Sequence, residues 1–375
     1  MTYQSHIPSR IVVRGTNWVG DTIISLPALR EIRRIFASSH IIVWVRRELY
    51  DLIHAAGVAD EIVTFDANSE GPVRRALHMR RTLAKLNLQL AILLQNAFES
   101  AFTSWLARVP LRAGYPTDLR GLLLNIKVPM SPQVRESHQV FYYLAITDYL
   151  EHYFHGKIDR QTSKPPDCSI LIPPESFAAA NLLLNEAGVT PERPFYCLAA
   201  GSANSEAKRW LPEYFANLAD LIIEQKGGQI VLMGAPGERD LLAGIASNMK
   251  KPGAVNLAGT TNILTSMAVM KLSEAVISND TGSAHLAVAA AASVLTIFGP
   301  TIPGATAPYG HQARLVVGKA DCAPCHHYRC PVQGHPCMSS VSPEMILSEI
   351  TKITSGMEDV PNSTDLDVHF VPGSN

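Results

Sequence analysis

The sequence has little excess charge, no long hydrophobic run and no leader-like start. A formal net charge of −1 over 375 residues gives no overall basic field that would favour nucleic acid as a partner. The longest nearly apolar run, 286–298, is shorter than the roughly 20 residues that a membrane-spanning helix needs. The opening residues, MTYQSHIPSR, lack the apolar core of a signal peptide. We therefore expect a cytoplasmic protein, and peripheral contact with a membrane surface stays open.

Cysteine is also scarce, and six cysteines in a chain of this size do not indicate a disulfide framework. Four of the six are clustered with the spacing C-x2-C-x4-C-x6-C. The first pair has the spacing of zinc ligands, but the other spacings are not those of a standard zinc finger. A structural metal, a local disulfide and free thiols all stay open. The cluster consists of Cys322, Cys325, Cys330 and Cys337, with His326, His327 and His335 between them.

A dinucleotide-binding fingerprint is missing as well. The apolar run 11–13 leads into RGTNWVGDTI, which is predicted to be the turn between a first strand and a first helix. Nucleotide-binding folds often carry G-x-G-x-x-G there, whereas this turn has only Gly15 and Gly20, followed by Asp21. The missing fingerprint argues against a dinucleotide-dependent oxidoreductase. The Asp21 carboxylate either caps the helix or takes part in chemistry.

Strand-like and helix-like segments alternate through most of the chain. Short apolar strands separated by amphipathic helices predict an α/β fold, with parallel sheets covered by helices on both faces. Pro27 is expected in the opening turn of the first helix. A segment rich in proline and serine, 159–176, indicates a linker. We predict a first domain over 1–165, a second over 166–353 and a disordered tail over 354–375.

The second predicted domain has a polar turn directly after a buried strand, in ISNDTGSAHLAVAAAA. Gly282 permits close approach of a ligand, and the N–H groups and dipole of the following helix favour an anion. The alternative is that Asp280 and Thr281 only cap that helix. His285 lies one turn further on and, taken alone, fits a structural histidine equally well.

Two further strand ends in this domain carry polar residues. In GSANSEAKRW, Lys208 can neutralise a phosphate and Ser202 can donate a hydrogen bond to it, although a solvated basic loop is the alternative. In MGAPGERD, Glu238 suits hydrogen bonds from ribose hydroxyls, or else it only stabilises a helix N-terminus. Because these elements share a domain with the polar turn, we favour a common anion site.

Three blocks of this sequence together resemble those of a known enzyme family. NWVGDTIISLPALREIR, GSANSEAKRW and ISNDTGSAHLAVAAAASVLTIFGPT resemble the ADP-heptose:lipopolysaccharide heptosyltransferases, most closely the heptosyltransferase II type. The blocks keep the family's order and separation, and the resemblance covers about residues 10–350. It implies a GT-B fold, in which two Rossmann-like domains face each other across a cleft. The acceptor site would lie in the first domain and the nucleotide-sugar site in the second.

The resemblance also implies a role for individual residues. Asp21 matches the catalytic base, which takes the proton of an acceptor hydroxyl as its oxygen attacks the anomeric carbon. Arg112 and Arg120, in RAGYPTDLRGLLLN, resemble the acceptor-side segment and would suit acidic sugars and phosphates. The implied nucleotide-sugar contacts are Ser202, Lys208, Glu238, Asp280, Thr281, Gly282 and His285.

The activity that the resemblance implies is transfer of heptose from ADP-L-glycero-D-manno-heptose to the inner core of lipopolysaccharide. The acceptor would be of the lipid A–Kdo–heptose type, at the cytoplasmic face of the inner membrane. No acidic D-x-D pair lies in the two predicted domains, so we predict inverting transfer without a metal ion or other cofactor. The alternatives are a glycosyltransferase of the same fold with another nucleotide sugar and a non-catalytic nucleotide-sugar binding protein.

Overall fold

The chain divides into two compact units, Met1–Cys168 and Ser169–Asn375. The structure is a computed structural model that describes residues 6–66, 71–203 and 205–355, together with the backbone of 368–370. The division between the units falls inside the proline- and serine-rich segment 159–176.

The first unit is built on a six-stranded sheet whose paired strands are parallel. Its strands are β1 (Arg10–Arg14), β2 (His40–Arg46), β3 (Glu61–Phe65), β4 (Leu90–Leu93), β5 (Leu111–Gly114) and β6 (Ile126–Lys127). They lie in the order β3-β2-β1-β4-β5-β6. Ile11, Val12 and Val13 of β1 are fully buried, as expected for a strand that is covered on both faces.

The helices of the first unit are α1 (Val19–Ile35), α2 (Tyr50–Ala56), α3 (Pro72–Ala84), α4 (Phe98–Leu106), α5 (Pro132–Glu136) and α6 (Gln139–His155). Short 3-10 helices lie at Arg47–Leu49 and Arg120–Leu122. Helix α1 begins at Val19, so Pro27 lies inside it and not in its opening turn, where the sequence placed it. The helix continues through the proline because its buried face packs against α6, which compensates for one lost backbone hydrogen bond.

The second unit is built on a seven-stranded parallel sheet. Its strands are β7 (Phe195–Ala199), β8 (Gln229–Leu232), β9 (Ala254–Asn256), β10 (Ala275–Asn279), β11 (Val294–Phe298), β12 (Ala313–Val317) and β13 (Val368–Phe370). They lie in the order β13-β12-β11-β10-β7-β8-β9. Trp210, Phe215 and Leu218 are among the side chains that fill the core beside this sheet.

The helices of the second unit are α7 (Pro174–Glu186), α8 (Pro212–Lys226), α9 (Arg239–Asn248), α10 (Ile263–Leu272), α11 (Gly282–Ala289), α12 (Pro303–Thr306), α13 (Pro336–Ser339) and α14 (Pro343–Thr354). Short 3-10 helices lie at Glu206–Lys208 and Pro236–Glu238. Both begin in loops that follow a strand, and each carries one predicted site residue.

In each sheet the direction of strand progression reverses once. The reversal lies between β1 and β4 in the first unit and between β7 and β10 in the second. Ligands of open α/β sheets bind at the carboxyl ends of the strands at such a reversal. The loops after β1, β7 and β10 are therefore the places where the fold itself favours a site.

Most of the predicted tail, 354–375, lies outside the described residues. Within it, Thr354 ends α14 and 368–370 form β13, which pairs with β12. A three-residue strand is too short to give a detectable alternation of apolar residues, which is why the sequence showed only an irregular segment. Among the helices that the structure describes, none combines the length and the apolar character required to span a bilayer.

Candidate functional site

The turn after β1 places Asp21 in the first turn of α1. The N-terminal flanking residue of α1 is Trp18, so Asp21 is a residue of the helix and not its cap. Gly15 starts the turn against β2, where an added Cβ would lie 2.6 Å from Val45 Cγ1. The hydroxyls of Thr16 and Thr22 are 2.8 Å apart and close the turn. Asp21 is partly exposed and lies at the positive end of the helix dipole.

A buried tyrosine from α6 lies within the field of this carboxylate. Burial raises the pKa of Tyr143 well above its usual value, and the negative charge of Asp21 raises it further. Tyr143 therefore stays protonated at neutral pH, beside a carboxylate that can accept a proton.

Arg14, the last residue of β1, is a charged residue that the sequence analysis did not single out. It is 4% exposed, donates from Nη2 to Asn17 Oδ1 at 2.6 Å, and lies over the ring of Trp44 at 4.9 Å. Burial lowers its pKa to about 9. The signal in the sequence was an arginine at the end of an apolar strand, because arginine is seldom fully buried unless it is paired.

Further arginines lie around Arg14 at this end of the sheet. The positive charges of Arg46 and Arg75 lower the pKa of Arg14 further, whereas the Glu99 carboxylate opposes this. Arg75 pairs with Glu99 at 2.7 Å, and the guanidinium of Arg46 lies over the ring of Trp18 at 4.9 Å. The buried Nε of Arg46 makes no hydrogen bond within the described residues. Arg14, Arg46 and Arg75 bring three positive charges to this end of the sheet, and positive charge there favours an anion.

The acceptor-side arginines predicted from the sequence have other partners. Arg120 is fully buried, and its Nε donates to Tyr115 O at 2.7 Å while its Nη2 donates to Asn96 Oδ1 at 2.7 Å. Arg112 is partly exposed, and its Nε donates to Leu123 O at 2.6 Å. The guanidinium of Arg120 is enclosed and hydrogen-bonded by the loop around it, and its predicted contact with the acceptor stays a prediction. The hydrogen bond from Arg112 to Leu123 O holds the same loop.

Replacing Arg120 by methionine is expected to destabilise the first unit by about 3 kcal/mol, because buried carbonyl oxygens lose their donors. For a domain of this size we expect a loss of about 6 to 12 °C in Tm, measured by differential scanning calorimetry. Arg135→Met, at an exposed position of α5, is the matched control and should leave Tm unchanged. An unchanged Tm together with a raised KM for the acceptor would instead support a role of Arg120 in acceptor binding.

In the second unit, three neighbouring strand ends bring together most of the predicted nucleotide-sugar residues. Strands β10, β7 and β8 are adjacent in the sheet. The loop after β10 carries Asp280 and Thr281, and the loop after β7 carries Ser202 and Lys208. The loop after β8 carries Glu238.

An ion pair joins two of these loops. Lys208 Nζ lies 2.7 Å from Asp280 Oδ2, and the same oxygen accepts a hydrogen bond from Thr301 Oγ1 at 2.8 Å. Asp280 is 5% exposed, whereas the Lys208 side chain keeps a quarter of its surface accessible. A lysine held in this way presents a fixed positive charge at the strand ends. Thr301 ends the third block that resembles the family, but the sequence analysis assigned it no role.

Asn279, at the end of β10, holds the loop that carries the lysine. Its Nδ2 donates to Ala200 O at 2.8 Å, and its Oδ1 accepts the Trp210 N–H at 2.9 Å. Asn279 is fully buried. It therefore fixes both ends of the loop between β7 and α8, and Lys208 lies between those ends.

Glu238 lies directly against the end of β7. A Cβ added to Gly201 would lie 1.9 Å from Glu238 Oε1, so only glycine fits beside this carboxylate. The Ala235 N–H donates to Glu238 Oε2 at 2.8 Å, which orients the side chain. Glu238 and the buried Ser202 thus lie close together on neighbouring loops, as a shared ligand site requires.

The start of α11 follows Asp280. Thr281 is its N-terminal flanking residue in extended conformation, and its side chain makes no capping hydrogen bond. The Asp280 side chain bonds Lys208 and Thr301, so simple capping does not account for either residue. Gly282 and the next residues leave backbone N–H groups at the helix start, where an anion is favoured. His285 is buried in the same turn.

The four clustered cysteines lie around one cavity of about 130 Å³. Cys337, on α13, is buried, and the other three lie in the loop between β12 and α13. Burial raises the pKa of the Cys337 thiol to about 11, and the three neighbouring cysteines raise it in the same direction. The spacing in the sequence therefore corresponds to a cluster in space.

Comparison with known proteins identifies the family to which this chain belongs. A model of glycosyltransferase family 9 (heptosyltransferase) matches residues 76–335, which is more than half of the chain. The chain belongs to this family. The resemblance seen in the sequence is thereby confirmed, and this family 9 chain is a glycosyltransferase.

Named relatives agree with this assignment. Lipopolysaccharide heptosyltransferase 2 of Salmonella typhimurium is 26% identical, over 92% of this chain and 99% of the relative. The structure of Escherichia coli ADP-heptose lipopolysaccharide heptosyltransferase II superposes with a TM-score of 0.76 at 21% identity, over 93% of this chain and 99% of that one. The structure of E. coli heptosyltransferase WaaC with ADP superposes with a TM-score of 0.66 at 21% identity, over 92% of this chain and 99% of that one. The family 9 chain thus has the predicted GT-B fold of two α/β units.

Proposed function

We propose that this family 9 enzyme transfers heptose from ADP-L-glycero-D-manno-heptose to the inner core of lipopolysaccharide, as a heptosyltransferase of the II type. The Lys208–Asp280 ion pair at the ends of β7 and β10 carries the proposal, because it fixes a cation where a diphosphate would depart. Relatives named lipopolysaccharide heptosyltransferase 2, which align along almost the whole chain, support the choice of donor and acceptor.

The second unit would hold the donor. Lys208 and the N–H groups at the start of α11 would bind the diphosphate, and Ser202 would add a hydrogen bond. Glu238 would accept hydrogen bonds from the ribose, since its carboxylate lies beside Gly201 at the end of the neighbouring strand. Asp280 keeps the lysine in place, with Thr281, Gly282 and His285 forming the rest of the turn. This set of polar groups suits ADP without a metal ion.

The first unit would hold the acceptor and the base. Asp21 would take the proton of the acceptor hydroxyl as the oxygen attacks the anomeric carbon, and the C–O bond to the diphosphate would break. Attack opposite the leaving group inverts the anomeric configuration. Arg46 and Arg14 would attract the acidic groups of the inner core.

The residues around the proposed diphosphate site support metal-independent transfer. Lys208 and the helix N-terminus would supply the positive charge that a metal ion supplies in other transferases. The D-x-D sequence at Asp365-Leu366-Asp367 lies outside the described residues and outside the two predicted domains. Turnover that required added Mg²⁺ or Mn²⁺ would contradict this part of the proposal.

The direct test is to incubate the full chain with ADP-heptose and a heptose-bearing lipid A–Kdo acceptor, and to follow ADP release and product mass. Addition of one heptose with release of ADP supports the proposal. Transfer from a different nucleotide sugar would leave the fold and the base in place and change the donor. Donor binding without transfer to any acceptor would instead indicate a binding protein.

We further propose that the first unit meets a membrane surface. Leu119 is 88% exposed and Leu122 is 94% exposed, in the loop that Arg120 fastens from beneath. Phe98 and Trp105 are about half exposed on α4, the helix against which this loop packs. Helix α3 packs beside α4 and adds basic residues such as Arg80, whose Nε donates to Leu106 O at 3.2 Å. Apolar side chains beside basic ones suit an anionic lipid surface.

Replacing both Leu119 and Leu122 by serine is expected to lower binding to anionic vesicles about 10-fold, because two exposed side chains no longer enter the lipid interface. Co-sedimentation with vesicles that contain phosphatidylglycerol measures the effect. Leu171→Ser, at a position that is also 88% exposed but in the second unit, is the control and should bind as the parent does. Equal sedimentation of all three proteins would exclude this loop as the contact.

A further inference from the structure

A long irregular loop separates β12 from α13. Residues 318–335 contain no helix or strand, although they are among the described residues. Loops of more than about 12 to 15 residues without secondary structure are uncommon in compact domains and are usually either functional or disordered. Three of the clustered cysteines lie in this loop, and the fourth, Cys337, lies just beyond it.

The loop is attached to the segment that carries Lys208. The Ala207 N–H donates to Tyr328 O at 2.9 Å, and Ser205 Oγ donates to His327 O at 3.1 Å. Arg329 Nε lies 2.7 Å from Glu206 Oε2, an exposed pair that adds little energy but marks the same contact. Each residue of this segment, from 205 to 207, therefore bonds the cysteine-bearing loop. Lys208 is the next residue.

The side chains around the cavity include four thiols and the imidazoles of His327 and His335. His335 Nε2 lies 2.8 Å from Ala207 O and donates to it, which commits that nitrogen to the Lys208 segment. Cys322, Cys325, Cys330 and Cys337 all line the cavity and form no disulfide. Four cysteines around one small cavity provide the ligand number and type of a closed structural site for a soft metal ion.

We propose that Cys322, Cys325, Cys330 and Cys337 bind one Zn²⁺ or Fe²⁺ ion, which fixes the loop 318–335 and through it the Lys208 segment. Binding releases four thiol protons to solvent and forms four metal–sulfur bonds, with no change of oxidation state. Among the described residues, no group of three histidine, cysteine, aspartate or glutamate side chains is arranged to hold a metal ion. The ion itself would draw the four thiols together, as in other sites where metal binding and local folding are coupled.

The test is the metal content of the full chain, purified without chelators and measured by inductively coupled plasma mass spectrometry. About one zinc or iron per chain is expected, and a protein exchanged into Co²⁺ should show the near-ultraviolet sulfur-to-cobalt absorption of thiolate ligation. Cys322→Ser with Cys325→Ser should abolish both signals. Cys168→Ser, which removes a buried thiol of the first unit, is the control and should keep them. A metal-free protein that does not take up Co²⁺, or a disulfide found within the cluster by mass spectrometry, would overturn the proposal.

If the double serine variant does not fold, alkylation of the parent protein gives the same information. Bound metal should protect four cysteines from iodoacetamide, and a thiol-competing chelator should expose them; equal labelling with and without chelator would count against the site. The link to Lys208 rests on the proposed function and predicts that metal removal weakens ADP binding about 10-fold. Unchanged ADP affinity after metal loss would reject the link between the metal and Lys208. If Lys208 does not bind ADP at all, the proposed function fails, but the metal content of the protein should be the same.

Discussion

Replacing Asp21 by asparagine is expected to lower the turnover number about 10²- to 10⁴-fold, the range in which a general base contributes. Asparagine keeps the size of the side chain but cannot accept the proton of the acceptor hydroxyl. The dissociation constant of ADP should stay unchanged, because the proposed nucleotide contacts all lie in the other unit. Steady-state transfer assays and isothermal titration with ADP give the two quantities.

Asp51→Asn is the matched control for this change. Asp51 also lies in the first turn of a helix of the first unit, but it is exposed and follows β2 instead of β1. Both substitutions remove a negative charge from a helix N-terminus, which costs about 0.3 to 1 kcal/mol of stability. Equal losses of turnover in the two variants would mean that Asp21 acts through helix stability and not as a base.

The positions of the site loops could be predicted because they depend on local patterns. Alternating apolar strands and amphipathic helices identify parallel sheets, and the carboxyl ends of parallel strands share one edge. Asp21, Lys208 and Asp280 each follow an apolar run directly or within a short loop, so their approximate place needed no tertiary information. The start of α1 shows the limit of this reasoning. Pro27 suggested a helix start near itself, but packing against α6 extends the helix back to Val19.

The partners of these residues could not be predicted, because they come from distant parts of the chain. Thr301 reaches Asp280 from the loop after β11, and Asn279 reaches Ala200 across the sheet. The same limit applies to the surroundings of Arg120. A basic residue in a polar loop is usually solvated, and only the folded loop shows Tyr115 and Gln95 enclosing its guanidinium.

Replacing Lys208 by alanine is expected to weaken ADP binding about 10- to 100-fold, the value of a charge-assisted hydrogen bond to a phosphate. Turnover should fall about 10²-fold as well, because the same ammonium would stabilise the charge that develops on the departing diphosphate. This pairing of effects distinguishes Lys208 from Asp21, for which only turnover should change. Titration calorimetry and transfer assays on one preparation measure both.

Lys251→Ala supplies the control for the lost ion pair. Lys251 lies 3.8 Å from Glu224 on the surface of the same unit, and such exposed pairs contribute about 0 to 1 kcal/mol. The variant should bind ADP and turn over as the parent does.

The double variant Lys208→Ala with Asp280→Asn distinguishes two causes of a loss of ADP affinity in the Lys208→Ala variant. If the loss came from the unpaired Asp280 carboxylate repelling the diphosphate, neutralising that residue should restore ADP affinity. If Lys208 itself binds the diphosphate, affinity should stay low in the double variant, and restored affinity would therefore contradict the role assigned to the lysine.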